Sequence, residues 1–368
     1  MTSPTPPFSD LAAPGVRELK PYVPGKPLAE LERELGISHS IKLASNENPL
    51  GASATVAEAI TRACGELARY PDGSAFQLRE ALAEKHDIDP SRITLGNGSN
   101  DVLDMVARVF LYPGAESLIS QYAFAVYPIS SQAVGSEPVF VPAKAYGHDL
   151  DAMLGNITSR TRVIWIANPN NPTGTWLSED ALYAFLGKVP SEIIVVLDEA
   201  YVEYVQEPDY PDGSQWLDAF PNLIVTRTFS KAYGLASLRI GYGLSGSTIA
   251  DLLNRVRQPF NVNSLAQTAA LAALEDQAFI RRSVALNDNG MQQYVSGLEA
   301  LGLGYIPSVG NFICIDLARD AAPVHQALLQ RGCITRPVDN YGLPNHLRVS
   351  IGLEEENKRL LETLKKVI

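Results

Sequence analysis

Lys231 lies in TFSKAYGLASLRIGY, Thr228 to Tyr242, a nearly uncharged stretch whose other cation is Arg239. An amine attacks aldehydes once it sheds its proton, and a guanidinium is a planar, forked donor suited to phosphate or carboxylate. The hydroxyls of Thr228 and Ser230 add neutral donors beside that pair. Further polar groups close two apolar runs, Asp198 with Tyr201 in LDEAYVEY and Asn171 in NPNNPTG.

Such residues act together only if the elements carrying them converge. VIWIA (163–167), IIVVLD (193–198) and LIVTRTFS (223–230) read as strands buried on both faces, the pattern of a parallel sheet. Between the first two, WLSEDALYAFLGKVP reads as a helix with Ser178 as N-cap and Pro190 past its end. Strand, helix and strand in succession predict an α/β fold. NDVLDMVARVFL has helical periodicity just after the glycines of LGNGSN; VHQALLQRG reads as a short helix with a glycine stop, and LEEENKRLLETLKKVI as a terminal amphipathic helix.

In open parallel sheets ligands gather outside the carboxyl ends of the strands. Three strands therefore deliver Asn171, Asp198 with Tyr201, and Ser230 with Lys231 to one edge. LGNGSND adds Ser99 and Asn100 at a helix N-terminus, which favours a phosphate. It lacks the third glycine of a dinucleotide fingerprint, which disfavours a nicotinamide-binding dehydrogenase.

The set suits an aromatic aldehyde bearing a ring nitrogen and a phosphate, pyridoxal 5′-phosphate. The lysine amine bonds the aldehyde and later carries a proton, and the aspartate keeps the ring nitrogen protonated. Tyrosine and asparagine hydrogen-bond the phenolic oxygen, and arginine with hydroxyls holds the phosphate. Taken singly, each residue has a plainer use: a surface lysine, an aspartate cap, an asparagine turn, structural arginines.

The 368 residues suffice for two domains, and 46% hydrophobic with 19% charged residues describes a globular chain. A formal charge of −11 argues against nucleic-acid or anionic-membrane partners. Cys64, Cys314 and Cys333 imply no disulfide framework, the apolar runs are too short for a bilayer, and a cytoplasmic location is expected. The start MTSPTPPFSD lacks the features of a secretory signal and, with its prolines, reads as a disordered lead. The five histidines show no metal-ligand spacing.

SNENPLG, YPDG, LGNGSND, NPNNPTG, LDEAYVEY, TFSKAYGLASLRIGY and NHLRVSIG, in this order from about Pro21 onward, resemble the fold-type-I, class-II pyridoxal-phosphate-dependent aminotransferases, and most narrowly the histidinol-phosphate aminotransferase family. The resemblance implies a large domain (46–275) with a mostly parallel seven-stranded sheet sandwiched by helices. A smaller α/β domain (276–368) follows, with the N-terminal segment (1–45) packed against it and a partner subunit. It implies Lys231 as the cofactor-bonding lysine, Asp198 at the ring nitrogen, and Tyr201 and Asn171 at the phenolic oxygen. Ser99, Asn100, Thr228, Ser230 and Arg239 surround the phosphate, which Tyr70 reaches from the neighbouring subunit of a homodimer. Arg348 grips a substrate α-carboxylate, Arg336 and Tyr22 handle the substrate's phosphate, with Tyr22 also reaching a neighbouring site, and Asn46 lines the substrate side. Phe124 stands where relatives often stack a tyrosine on the ring; a phenyl face still stacks, without the hydroxyl.

The implied reaction is transfer of an amino group between L-histidinol phosphate and 2-oxoglutarate, giving imidazole acetol phosphate and L-glutamate in histidine biosynthesis. An aromatic amino-acid aminotransferase on the same scaffold is the alternative, and a decarboxylase of a phosphorylated amino acid a further one. A cofactor-sensing regulator would need a DNA-binding domain for which the N-terminal segment has no room.

Overall fold

The structure, a computed structural model, describes residues 8–22 and 24–368. Most of the proline-rich lead, residues 1–7, lies outside the described residues. Phe8–Leu11 and Pro14–Arg17 are helical, and Arg17 donates to the Asp10 and Ala12 carbonyls at 2.7 and 3.0 Å.

Seven strands form the large sheet, in the spatial order Ile93–Gly96, Gly241–Ser245, Leu223–Thr228, Ile194–Asp198, Thr161–Ala167, Glu116–Ser120, Glu137–Val141. Gly241–Ser245 runs antiparallel to both its neighbours, and every other pairing is parallel. The three apolar runs form adjacent central strands, whose side chains are buried on both faces. Helices cover the two faces with separate cores, one including Leu78, Phe185 and Phe229, the other Val106, Tyr127 and Trp165. The helix Glu179–Leu186 starts after Ser178, whose side chain makes no cap bond; Glu179 and Asp180 in its first turn complement the helix dipole instead.

A second sheet is antiparallel, in the order Arg336–Pro337, His346–Ser350, Phe312–Asp316, Gly304–Ile306. The 24-residue helix Gln277–Ala300 joins the two parts. Its Phe279 and Ile280 enter the core of the large sheet, whereas Tyr294 and Leu298 enter that of the small one. Ile41 and Leu43 share the small-sheet core with Ile313 and Leu347. Ile41–Lys42 also pairs in parallel with Cys333–Ile334, which draws the SNENP segment between the two sheets.

Candidate active site

Asp198 ends its strand, and its carboxylate is buried at 5% exposure. The Thr226 hydroxyl donates to Oδ1 at 2.9 Å and the Tyr127 hydroxyl to Oδ2 at 2.8 Å. Burial raises the Asp198 pKa, and these two donors oppose that rise. The carboxylate is therefore aimed but, among the described residues, has no cation bonded to it, which leaves it ready for a protonated ring nitrogen.

Lys231 follows the next strand, and its Nζ donates to the Ser45 carbonyl at 3.2 Å. Burial first, then repulsion from Arg348 and Arg239, pulls its pKa down to about 7, against the partial opposition of Glu47 and Asp198. An amine in that condition is substantially neutral at physiological pH, as attack on an aldehyde and proton transfer both require.

The phosphate end is built from backbone. Gly98 precedes the helix Ser99–Phe110 with φ 86° and ψ 162° and provides no side-chain cap to it. The open N-terminal N–H groups and the helix dipole together attract an anion. A Cβ on Gly98 would run into the Arg239 guanidinium, and one on Gly241 into the backbone nitrogen of Ser99. Arg239 Nη1 donates to the Ala236 carbonyl at 3.0 Å and lies 3.4 Å from Ser230 Oγ, and Thr228 Oγ1 accepts from the Ser230 backbone at 3.1 Å.

On the side of the second sheet, Arg348 Nη1 donates to Asn171 Oδ1 at 2.5 Å and Nη2 to the Ala44 carbonyl at 2.7 Å, while its buried Nε has no partner among the described residues. Tyr201 is buried, and its hydroxyl accepts from Asn46 Nδ2 at 3.0 Å. Burial raises the Tyr201 pKa to about 12, so it remains a protonated donor.

One cavity gathers Lys231, Asp198, Tyr201, Asn171, Ser99, Asn100, Phe124, Thr228, Ser230, Arg239, Arg348, Asn46 and Tyr22. Aldehyde acceptor, nitrogen partner and phosphate cradle thus sit where pyridoxal phosphate needs them, and the residues fit that group. Arg336 is buried one layer back, its guanidinium 5.4 Å from the Tyr22 ring centroid. Tyr22 lines the cavity of its own chain, with its ring beside the Arg336 guanidinium. Tyr70 lies outside its own cavity, 82% exposed and stacked on Phe260 at 4.7 Å.

Sequence reasoning missed Tyr127, which sits in the helix Val126–Ala133 without a motif, and the layer behind the Asp198 strand. There Arg227 is paired with Glu199 through Nε and Nη2 at 2.9 and 2.7 Å and with Asp212 at 2.6 Å. Strand alternation is the signal that could have found it, since Glu199 and Arg227 adjoin Asp198 and Thr228 and face the other way.

Comparison with known proteins agrees with this geometry. Residues 38–364 match the family model described as aminotransferase class I and II. Histidinol-phosphate aminotransferase 2 of Pseudomonas aeruginosa is 61% identical over 363 residues, covering 98% of each chain. The protein of the same name from Methylococcus capsulatus is 56% identical over 367 residues, covering 98% of this chain and 99% of its own. The crystal structure of histidinol-phosphate aminotransferase from Sinorhizobium meliloti in complex with pyridoxal-5′-phosphate superposes with a TM-score of 0.88 at 29% identity, covering 96% of both chains. A match of this span, on a sheet whose strand ends deliver an amine, a carboxylate and a phosphate cradle to one cavity, makes the chain a member of the class I and II aminotransferase family.

Proposed function

We propose that the chain is a pyridoxal-phosphate-dependent aminotransferase that moves an amino group between L-histidinol phosphate and 2-oxoglutarate, giving imidazole acetol phosphate and L-glutamate, a step of histidine biosynthesis. The observation that carries this reading is the half-buried Lys231 amine, brought to a pKa of about 7 in a cavity shared with Asp198 and Arg239. The 61% identity to a histidinol-phosphate aminotransferase supports the substrate pair.

The chemistry supplied by the bound cofactor is a carbonyl that exchanges amines and a ring that takes up the electron pair left at the substrate α-carbon. The chain's own residues do the rest. Lys231 would hold the cofactor through its aldehyde, and its amine would move the proton at the substrate α-carbon. Asp198, aimed by Tyr127 and Thr226, holds the proton on the ring nitrogen. Tyr201 and Asn171 bind the phenolic oxygen, and Phe124 covers the ring face. Arg239, Ser230, Thr228, Ser99 and Asn100 hold the phosphate, with Tyr70 added by a second copy of the chain in a homodimer. We assign residues 46–275 to the cofactor domain and 276–368 to the small domain, with 1–45 packed beside it, and place the protein in the cytoplasm.

Histidinol phosphate carries no α-carboxylate, whereas glutamate carries no phosphate. Arg348 takes the carboxylate of glutamate, Arg336 with Tyr22 takes the phosphate monoester, and Asn46 lines the cavity between them. Cofactor-loaded protein mixed separately with histidinol phosphate, glutamate, phenylalanine and tyrosine should change the cofactor absorbance rapidly with the first two and slowly with the others. Rapid change with the aromatic amino acids, with histidinol phosphate inert, would assign the chain to an aromatic donor.

A further inference from the structure

Tyr201 has one hydrogen to donate, and where it goes depends on the group behind it. That group is Asn46, 1% exposed, with its backbone in the left-handed region at φ 54°. Its Nδ2 donates to the Tyr201 hydroxyl, so the tyrosine oxygen is used as an acceptor there and its hydrogen is left for the cavity that both residues line.

The orientation of the Asn46 amide is set from the small domain. Ser350 Oγ accepts from the Asn46 backbone N–H at 2.7 Å and donates to Asn46 Oδ1 at 3.1 Å. With the carbonyl end of the amide occupied by the serine hydrogen, the amino end faces Tyr201. Asn311 Nδ2 donates to the Asn46 carbonyl at 3.0 Å and fixes the peptide from its other side. Ser350 lies two residues after Arg348 on one strand, so both side chains leave the same face, toward the cavity.

We propose that Ser350 is a positioning residue that, through the Asn46 amide, directs the Tyr201 hydrogen at the phenolic oxygen of the bound cofactor. This rests on the cofactor reading above and deepens it. Without the serine hydroxyl, the Asn46 amide can turn over and present its carbonyl oxygen to Tyr201. The tyrosine would then donate to Asn46 and withdraw its hydrogen from the cofactor. Loss of a donor at a phenolic oxygen disfavours its anionic form.

The test is a pH titration of the visible absorbance of the bound cofactor, without substrate. Ser350→Ala should raise the midpoint by about half to one pH unit, the equivalent of one ordinary hydrogen bond, and Ser350→Thr, which keeps the hydroxyl, should restore it. Asn46→Asp, isosteric but only an acceptor when ionised, should raise the midpoint at least as far and serves if Ser350→Ala does not fold. Arg348, Asp198, Lys231 and Tyr22, the charged and titratable groups around Tyr201, are unchanged in all three variants. A wild-type band with Ser350→Ala and Asn46→Asp titrating as wild type overturns the proposal alone, as does Ser350→Thr shifted as far as Ser350→Ala. A wild-type chain that takes up pyridoxal phosphate without any such band overturns the cofactor reading and this proposal with it.

Discussion

The Tyr127 hydroxyl donates to Asp198 Oδ2 at 2.8 Å while its ring lies nearly parallel to that of Trp165, 6° between planes and 5.2 Å between centroids. A buried aromatic pair therefore aims the carboxylate, and aromatic packing allows the hydroxyl little freedom. Tyr127→Phe keeps the packing and removes the donor. Cofactor affinity should fall roughly tenfold or more, the value of a hydrogen bond to a charged group, read from the equilibrium release of pyridoxal phosphate. Unchanged affinity would show that Thr226 alone suffices.

Lys231 links stability to pH. Its folded-state pKa is depressed from 10.5 to about 7, so between those values the unfolded chain holds a proton that the folded chain lacks. Stability rises with pH wherever the unfolded state binds more protons. The unfavourable contribution of this lysine to the cofactor-free protein is therefore largest below pH 7 and fades as pH rises toward 10.5. Lys231→Met should be more resistant to urea than wild type at pH 6, and the gap should narrow by pH 9. A gap independent of pH would contradict the depressed pKa.

Arg227 stabilises Glu199, which is fully buried and also accepts from the Gly213 backbone at 2.9 Å. Burial pushes the Glu199 pKa up, and the guanidinium pulls it back. Arg227→Met leaves that carboxyl without its counter-ion and should cost about 3–5 kcal/mol in urea unfolding. Adding Glu199→Gln should recover part of the loss, because no buried charge then remains unpaired.

Gly98 combines a backbone open to few other residues with direct contact to Arg239. Gly98→Ala should cost about 1–3 kcal/mol in backbone strain. It should also displace the guanidinium and weaken inorganic phosphate and pyridoxal phosphate in parallel. A variant with wild-type phosphate affinity would argue that Arg239 does not serve the phosphate.

Arg336→Gln should separate the two substrates. Loss of one charge-assisted contact corresponds to roughly a ten- to hundredfold drop in kcat/KM for histidinol phosphate, with a much smaller change for glutamate. Equal losses for both substrates would remove Arg336 from phosphate recognition.

Much of this site is legible in the sequence. Buried central strands announce themselves as apolar runs, and the polar residues that end them must emerge at one edge of a parallel sheet. Lys231, Asp198 and Asn171 follow from that geometry alone. The strand Gly241–Ser245 was less visible: GYGLS is short and glycine-rich, and only its pairing between two partners makes it a strand. The roles of Tyr127 and of Ser350, although Ser350 stands in NHLRVSIG, were missed because each acts on a residue far off in the chain, which no local spacing reveals.

By itself the sequence determined which side chains carry chemistry and that they gather at the ends of parallel strands, since residue type and local periodicity settle both. The tertiary structure alone decided how those side chains are aimed. The Asn46 amide is oriented by Ser350, 304 residues away, and the Asp198 carboxylate by Tyr127, 71 residues away. Hydrogen bonds over such separations are set by how elements distant in the chain pack together, and no spacing along the chain encodes them.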